Sequence, residues 1–253
     1  MAFELKNMTA IMVALKREPP PACARLLILG EAKVLFSVNQ YVELARELEF
    51  QLHTIPQDLT AFTLGLSLGF ASTDTLDVNG AASLTINLQN ELPSDLINKF
   101  HCVIDAGVLF WCFDPGVVLK NIFRLAKENA LFIHITGVSG FYGRCYYSIH
   151  PLLFEDFYLG NGCQYVVASY FARPKNISLI LKVKRWLKWG KSTEDVTYNY
   201  RAGNVFLGTS GARALAFTAK LLVPESDIVP NNAVGTLIFK KGASIEPMEP
   251  LLT

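Results

Sequence analysis

Charge of either sign and cysteine are both scarce in this 253-residue sequence, and each scarcity excludes something. Charged residues make up 18% of it, and 23 Lys and Arg against 22 Asp and Glu leave a net charge of +1. No global field recruits nucleic acid or acidic lipid, so no nucleic-acid partner is expected. The five cysteines, Cys23, Cys102, Cys112, Cys145 and Cys163, are odd in number and scattered, without the paired spacing of zinc sites. They read as reduced thiols of a cytoplasmic protein, with no metal centre expected. Long apolar runs are missing too. Although 51% of residues are hydrophobic, no stretch reaches the roughly 18 apolar residues that a membrane-spanning helix needs. The run from Met8 to Leu15 gives way at once to Lys16, Arg17, Glu18 and three prolines. That reads as a short amphipathic helix, not as a cleaved leader.

What is present is an alternation of strand-like and helix-like segments. Arg25 to Gly30 (RLLILG) is a continuous apolar run ending in glycine, the pattern of a parallel strand buried on both faces. Ser37 and Gln40 form a capping box before Val38, Tyr41, Val42, Ala45 and Leu48 at helical spacing. A second strand is expected within Leu66 to Leu76, ending at Asp77, and a third over Ala82 to Leu88. Pro93 and Ser94 open a short helix, Phe100 to Asp105 (FHCVID) is the next buried strand, and Asp114 and Pro115 cap and start another helix. Strands are further expected over Ala130 to Ile135, Gln164 to Phe171, Ala214 to Val223 and Ala233 to Lys240, with a helix from Pro151 to Gly160. This order predicts a Rossmann-like α/β fold: a mostly parallel sheet, helices on both faces and an antiparallel hairpin near the C-terminus. The reading is one domain over residues 1–253, with an insertion at about 174–212 outside the core sheet.

Gly30, Asp77 and Asp105 then fall along one sheet edge, where α/β sheets collect ligands. A carboxylate there can accept from both hydroxyls of a ribose, and a glycine lets the loop approach without a Cβ. The stretch 76–162, from LDVNG through VIDAGVLFWCFDPG to FYLGNG, resembles the class I S-adenosylmethionine-dependent methyltransferases. That resemblance implies S-adenosylmethionine as cofactor, with Asp77 on the ribose, Asn87 and Leu88 beside the adenine, and Asp105, Ala106 and Gly107 on the methionine side. It also implies an acceptor pocket shaped by the segment GFYGRCYYSIHPLLFEDFYLGNG, within which His150 and Tyr147 are the candidate catalytic residues. The chain departs from the family in two places. Its first loop offers only Gly30, followed by Glu31, Ala32 and Lys33, and Phe110, Trp111 and Cys112 stand where a histidine often occurs.

Each of these residues also has a bland reading. Asp77, beside Asn79 and Gly80, suits a turn; Asp105 suits a loop cap; Gly30 could merely end a strand. His134, inside LFIHIT, reads as a satisfied core histidine, and Tyr146 and Tyr147 as packing. Residues 175–191 carry six cationic side chains with Trp186 and Trp189, which suits either a surface helix or a contact with a membrane or protein partner. The leading functional reading is methyl transfer to a small-molecule acceptor. Its rival is an inactive methyltransferase-fold protein acting as a binding or assembly module, and a nicotinamide-dependent oxidoreductase is opposed by the absence of G-x-G-x-x-G after the first strand.

Overall fold

The structure, a computed structural model, describes residues 2–139, 141, 145–172, 233–243 and 246–248. The expected insertion at 174–212, the segment 175–191 and the strand over Ala214 to Val223 lie outside the described residues.

The chain opens with β1 (Ala2–Phe3) and α1 (Leu5–Arg17), the amphipathic helix read from the run at Met8. The apolar run RLLILG forms β2 (Arg25–Leu29), and β3 (Lys33–Val34) pairs in parallel with β1 as a small separate sheet. Next comes α2 (Val38–Glu47), capped as expected: the Ser37 hydroxyl accepts from the Gln40 amide, and the Gln40 side chain accepts from the Ser37 amide. The second strand ends at Asp77 as expected and occupies the later part of its stretch, β4 (Ser72–Asp77), because Thr60 caps a helix α3 (Ala61–Ser67) that takes Leu66. Gly65 explains how closely this helix packs. A Cβ there would lie 1.9 Å from Thr73 Oγ1 and 3.2 Å from Leu26 Cδ2, so α3 sits on the sheet closer than any side chain permits.

The third strand is short: β5 is only Leu84–Thr85. Pro93 leads into a 3-10 turn at Ser94–Leu96, and β6 (Phe100–Asp105) matches the run FHCVID. A second 3-10 turn, Leu109–Trp111, precedes α4 (Pro115–Leu125), whose Asp114 cap accepts from the Val117 amide. There follow β7 (Ala126–Ser139), α5 (Pro151–Gly160), β8 (Gln164–Ala172) and β9 (Ala233–Lys240).

Seven of these strands form one sheet in the order β5-β4-β2-β6-β7-β9-β8. The pairs from β5 to β7 are parallel, and β9 runs antiparallel to both β7 and β8. This is the Rossmann-like, mostly parallel sheet with an antiparallel pair near the C-terminal end. Side-chain alternation divides the core. Leu26, Ile28, Cys102, Ile104, Ile133 and Ile238 pack with α1, α2 and α3 on one face. Leu27, Leu29, Val103, Phe132, Leu237 and Phe239 pack with α4 and α5 on the other. Burial on both faces is why these strands read as unbroken apolar runs. Asn7 Nδ2 donates to Thr236 Oγ1 at 2.9 Å, tying α1 across to β9. None of the helices described is long and apolar enough to cross a membrane.

Candidate functional site

The chain leaves β2 outward to β4 and β5, then returns on its other side to β6 and β7, so the crevice between β2 and β6 is the switch point at which such sheets bind ligands. Register fixes what stands there. Leu29 is level with Leu76 and with Asp105, and Asp105 with His134. Gly30, Asp77 and the loop from Asp105 therefore share one edge, as the strand ends predict.

Gly30 turns the chain at φ +80° while its amide donates to the Leu76 carbonyl at 2.8 Å. A Cβ on it would lie 2.8 Å from Val108 Cγ2 and 3.8 Å from Asp77 Oδ2, so it is a glycine required both by conformation and by neighbours. Asp77 is half-buried; Oδ2 accepts from the Glu31 amide and Oδ1 from the Asn79 amide, each at 3.2 Å. The turn reading of Asp77 is thus realised, and both oxygens retain acceptor capacity beyond it.

Asp105 is oriented differently from what a ligand contact requires. Its carboxylate is fully buried, with Oδ1 accepting from the amides of Gly107 (3.0 Å), Val108 (2.7 Å) and Leu109 (3.4 Å). Oδ2 lies 3.1 Å from His134 Nδ1, and His134 Nε2 lies 2.7 Å from the Tyr158 hydroxyl. The loop-cap alternative describes this side chain, and any ligand would meet the loop it holds. Gly107 takes φ +91° within that loop, and Ala106 is buried beside it. His134 is the satisfied core histidine that its apolar run predicts. Burial, then Cys163 and Asp105, push the Tyr158 hydroxyl well above its usual range, so it stays a donor.

Leu88 also departs from its expected place. Its side chain is buried in the core on the α4 face, while its carbonyl and that of Asn90 both accept from Asn121 Nδ2 at 2.8 Å. Asn87 is exposed and accepts from the Gln89 amide.

The acceptor-side segment sits against the loop after β6. The amides of Tyr146 and Tyr147 both donate to the Phe110 carbonyl, and the Tyr147 hydroxyl donates to the Phe113 carbonyl at 2.9 Å. Trp111, Phe113, Tyr146 and Tyr147 are exposed, with Trp111 and Tyr146 packed edge to face. His150 caps α5, its Nδ1 accepting from the Leu152 amide at 3.2 Å, which places the proton of the neutral ring on Nε2. Sequence reasoning missed the partnership of His134 and Tyr158 with Asp105. The available signal was parity, since His134 follows Phe132 on the same face of β7, toward α5.

No known protein family matches the chain by sequence, and no curated protein matches it. Solved structures do. A SAM-dependent methyltransferase from Archaeoglobus fulgidus is 14% identical, over 91% of this chain and 93% of that one, with a TM-score of 0.41. The YcgJ protein of Bacillus subtilis is 10% identical over 93% and 98%, with a TM-score of 0.47. A putative sarcosine dimethylglycine methyltransferase from Galdieria sulphuraria is 13% identical over 94% and 85%, with a TM-score of 0.43. At such identities the likeness is one of fold, and the fold rests on this chain's own strand order, register and antiparallel β9.

Proposed function

We propose that this chain binds S-adenosylmethionine at the carboxyl edge of its sheet and transfers the methyl group to a small-molecule acceptor. One observation carries the reading: a glycine at positive φ, a half-buried carboxylate and a glycine-containing loop meet at the switch point between β2 and β6. Asp77 would accept from the ribose hydroxyls through the capacity that Glu31 and Asn79 leave. The bare face of Gly30 and the backbone of Ala106 and Gly107 would line the rest, with Asn87 and the backbone of Leu88 beside the base. The bound sulfonium supplies the activated methyl, so the chain's own task is in-line placement of a nucleophile. A neutral nitrogen acceptor needs no more than that for the transfer itself, with S-adenosylhomocysteine leaving and the product's extra proton passing to solvent. Tyr147 and His150 belong to this proposal as acceptor-side groups. His150, its Nδ1 accepting at the α5 cap, presents an N–H at Nε2, and would give up that cap to act as a base.

The single-glycine first loop is what favours the second reading, an inactive member of this fold that binds or assembles. Calorimetric titration with S-adenosylmethionine and S-adenosylhomocysteine separates the two: micromolar binding of both is expected, and no heat at millimolar ligand would leave only the binding module. Hydrogen bonds to a charged acceptor contribute about 1.5–3 kcal/mol, so Asp77→Ala should weaken binding about 10-fold to 150-fold. Asp77→Asn, which exchanges an acceptor oxygen for a donor, should also bind worse than the parent. Unchanged affinity in both variants would reduce Asp77 to its turn.

A further inference from the structure

We infer that His134 and Tyr158 are positioning residues, forming with Asp105 a one-way hydrogen-bond chain that holds the loop 107–109 in register against Gly30. The proton order follows from the donor inventory. An ionised carboxylate only accepts, so His134 Nδ1 must carry hydrogen and donate to Asp105 Oδ2. In the neutral ring Nε2 is then the acceptor, and the Tyr158 hydroxyl donates to it. All three side chains are at most 1% exposed, so bulk solvent does not reach these groups.

Each end of the chain is fixed by something else. At one end, the Tyr158 ring packs against both Phe132 and Phe239, with centroids at 4.6 and 4.7 Å, so its hydroxyl is delivered by the packing of α5 on the sheet. His134 is held by Phe154, one helical turn earlier, at 4.5 Å. At the other end, Asp105 gathers the amides of Gly107, Val108 and Leu109. That fixes the positive φ of Gly107 and sets the Val108 side chain against the bare face of Gly30. The helix that begins at the acceptor-side cap His150 thereby sets the placement of both loops at the edge. A carboxylate buried with no Lys or Arg partner among the described residues also has a reason here: it accepts from three amides and from His134 Nδ1 in one orientation, more than a neutral side chain would accept.

The loop-holding stands on the geometry alone; its importance for ligand rests on the S-adenosylmethionine reading. The test follows amide hydrogen exchange at Gly107, Val108 and Leu109 relative to Leu26–Leu29 of β2, without ligand, together with S-adenosylmethionine affinity. Tyr158→Phe and His134→Leu should speed exchange at 107–109 by about 10-fold or more beyond any change in β2, with a matching loss of affinity. His134→Asn places an amide donor near the Nδ1 position and should recover most of the protection that His134→Leu loses. In that background Tyr158→Phe should add little. If exchange at 107–109 follows β2 in every variant, or His134→Asn is no better than His134→Leu, the three residues are ordinary core and the inference fails. Should the parent bind no S-adenosylmethionine, the functional reading falls, while the exchange data still decide the chain of bonds.

Discussion

Glu155→Gln is expected to make the protein more stable at pH 8 by about 2–3 kcal/mol, and to leave it nearly unchanged at pH 4.5. Glu155 lies on α5 with 1% of its surface exposed, and neither carboxylate oxygen has a hydrogen-bond partner among the described residues. Burial raises its pKa from 4.5 to about 7, with the neighbouring Asp156 adding to the shift. The sign follows from linkage. Below pH 4.5 the group is protonated whether the chain is folded or not. Between pH 4.5 and 7 the unfolded chain releases the proton and the folded one keeps it, so stability falls as pH rises, by up to about 1.36 kcal/mol per pH unit. Above pH 7 the loss is complete. Gln keeps the shape and removes the ionisation, and for a chain of this length the gain at pH 8 amounts to roughly 4–12 °C in Tm. Urea unfolding across pH 4.5 to 8.5 measures this directly: the parent should slope downward and the variant lie flat over that group's range. Parallel curves would mean that Glu155 finds a partner and is ionised throughout.

The elements legible in the sequence are those whose local signals and burial agree. β2 and β6 read as apolar runs because both of their faces are covered, and α2 and α4 were marked by Ser37 and Asp114, caps that the structure shows accepting from backbone amides. What failed to read was short or mixed. α3 has only seven residues and contains Gly65, so its helical period is too brief to compete with the strand-like look of its leucines. The start of β7 was hidden by Lys127, Glu128 and Asn129, polar residues at the end of the sheet away from the site, where Asn129 takes φ +60°. Strand ends gave the line Gly30, Asp77 and Asp105, but not the direction of a side chain. Asp105 turns inward because three loop amides converge on it, a loop geometry with no sequence period to betray it.

A first loop with one glycine is workable in this fold because the chain needs only one. Gly30 alone takes positive φ; Glu31 gives its amide to Asp77, Ala32 gives its amide to the Gly30 carbonyl, and Lys33 is already in β3, paired with Ala2. The little sheet of β1 and β3 therefore ends the loop early, where a longer one would call for more residues free of Cβ.

Gly30→Val is the substitution that this arrangement tolerates least, and it should cost about 2–5 kcal/mol of folding stability. Two penalties add. A β-branched residue at φ +80° is a genuine conformational outlier, worth roughly 1–3 kcal/mol. Its Cβ would also stand 2.8 Å from Val108 Cγ2, and Val108 cannot simply withdraw, because its amide is held at 2.7 Å by a buried carboxylate. Either the loop after β6 gives up its bonds to Asp105 or the first loop gives up its contact with Asp77, so ligand binding should fall further than stability predicts. Gly30→Ala separates the contributions, sharing the backbone strain and the Cβ contact but lacking the branch. Val108→Ala removes the atom that Cβ meets, and in that background Gly30→Ala should cost about 1–2 kcal/mol less than in the parent. Chemical unfolding of the four proteins measures the coupling. A purely additive result would show that the two loops do not press on each other, and that Gly30 is needed for its dihedral angle alone.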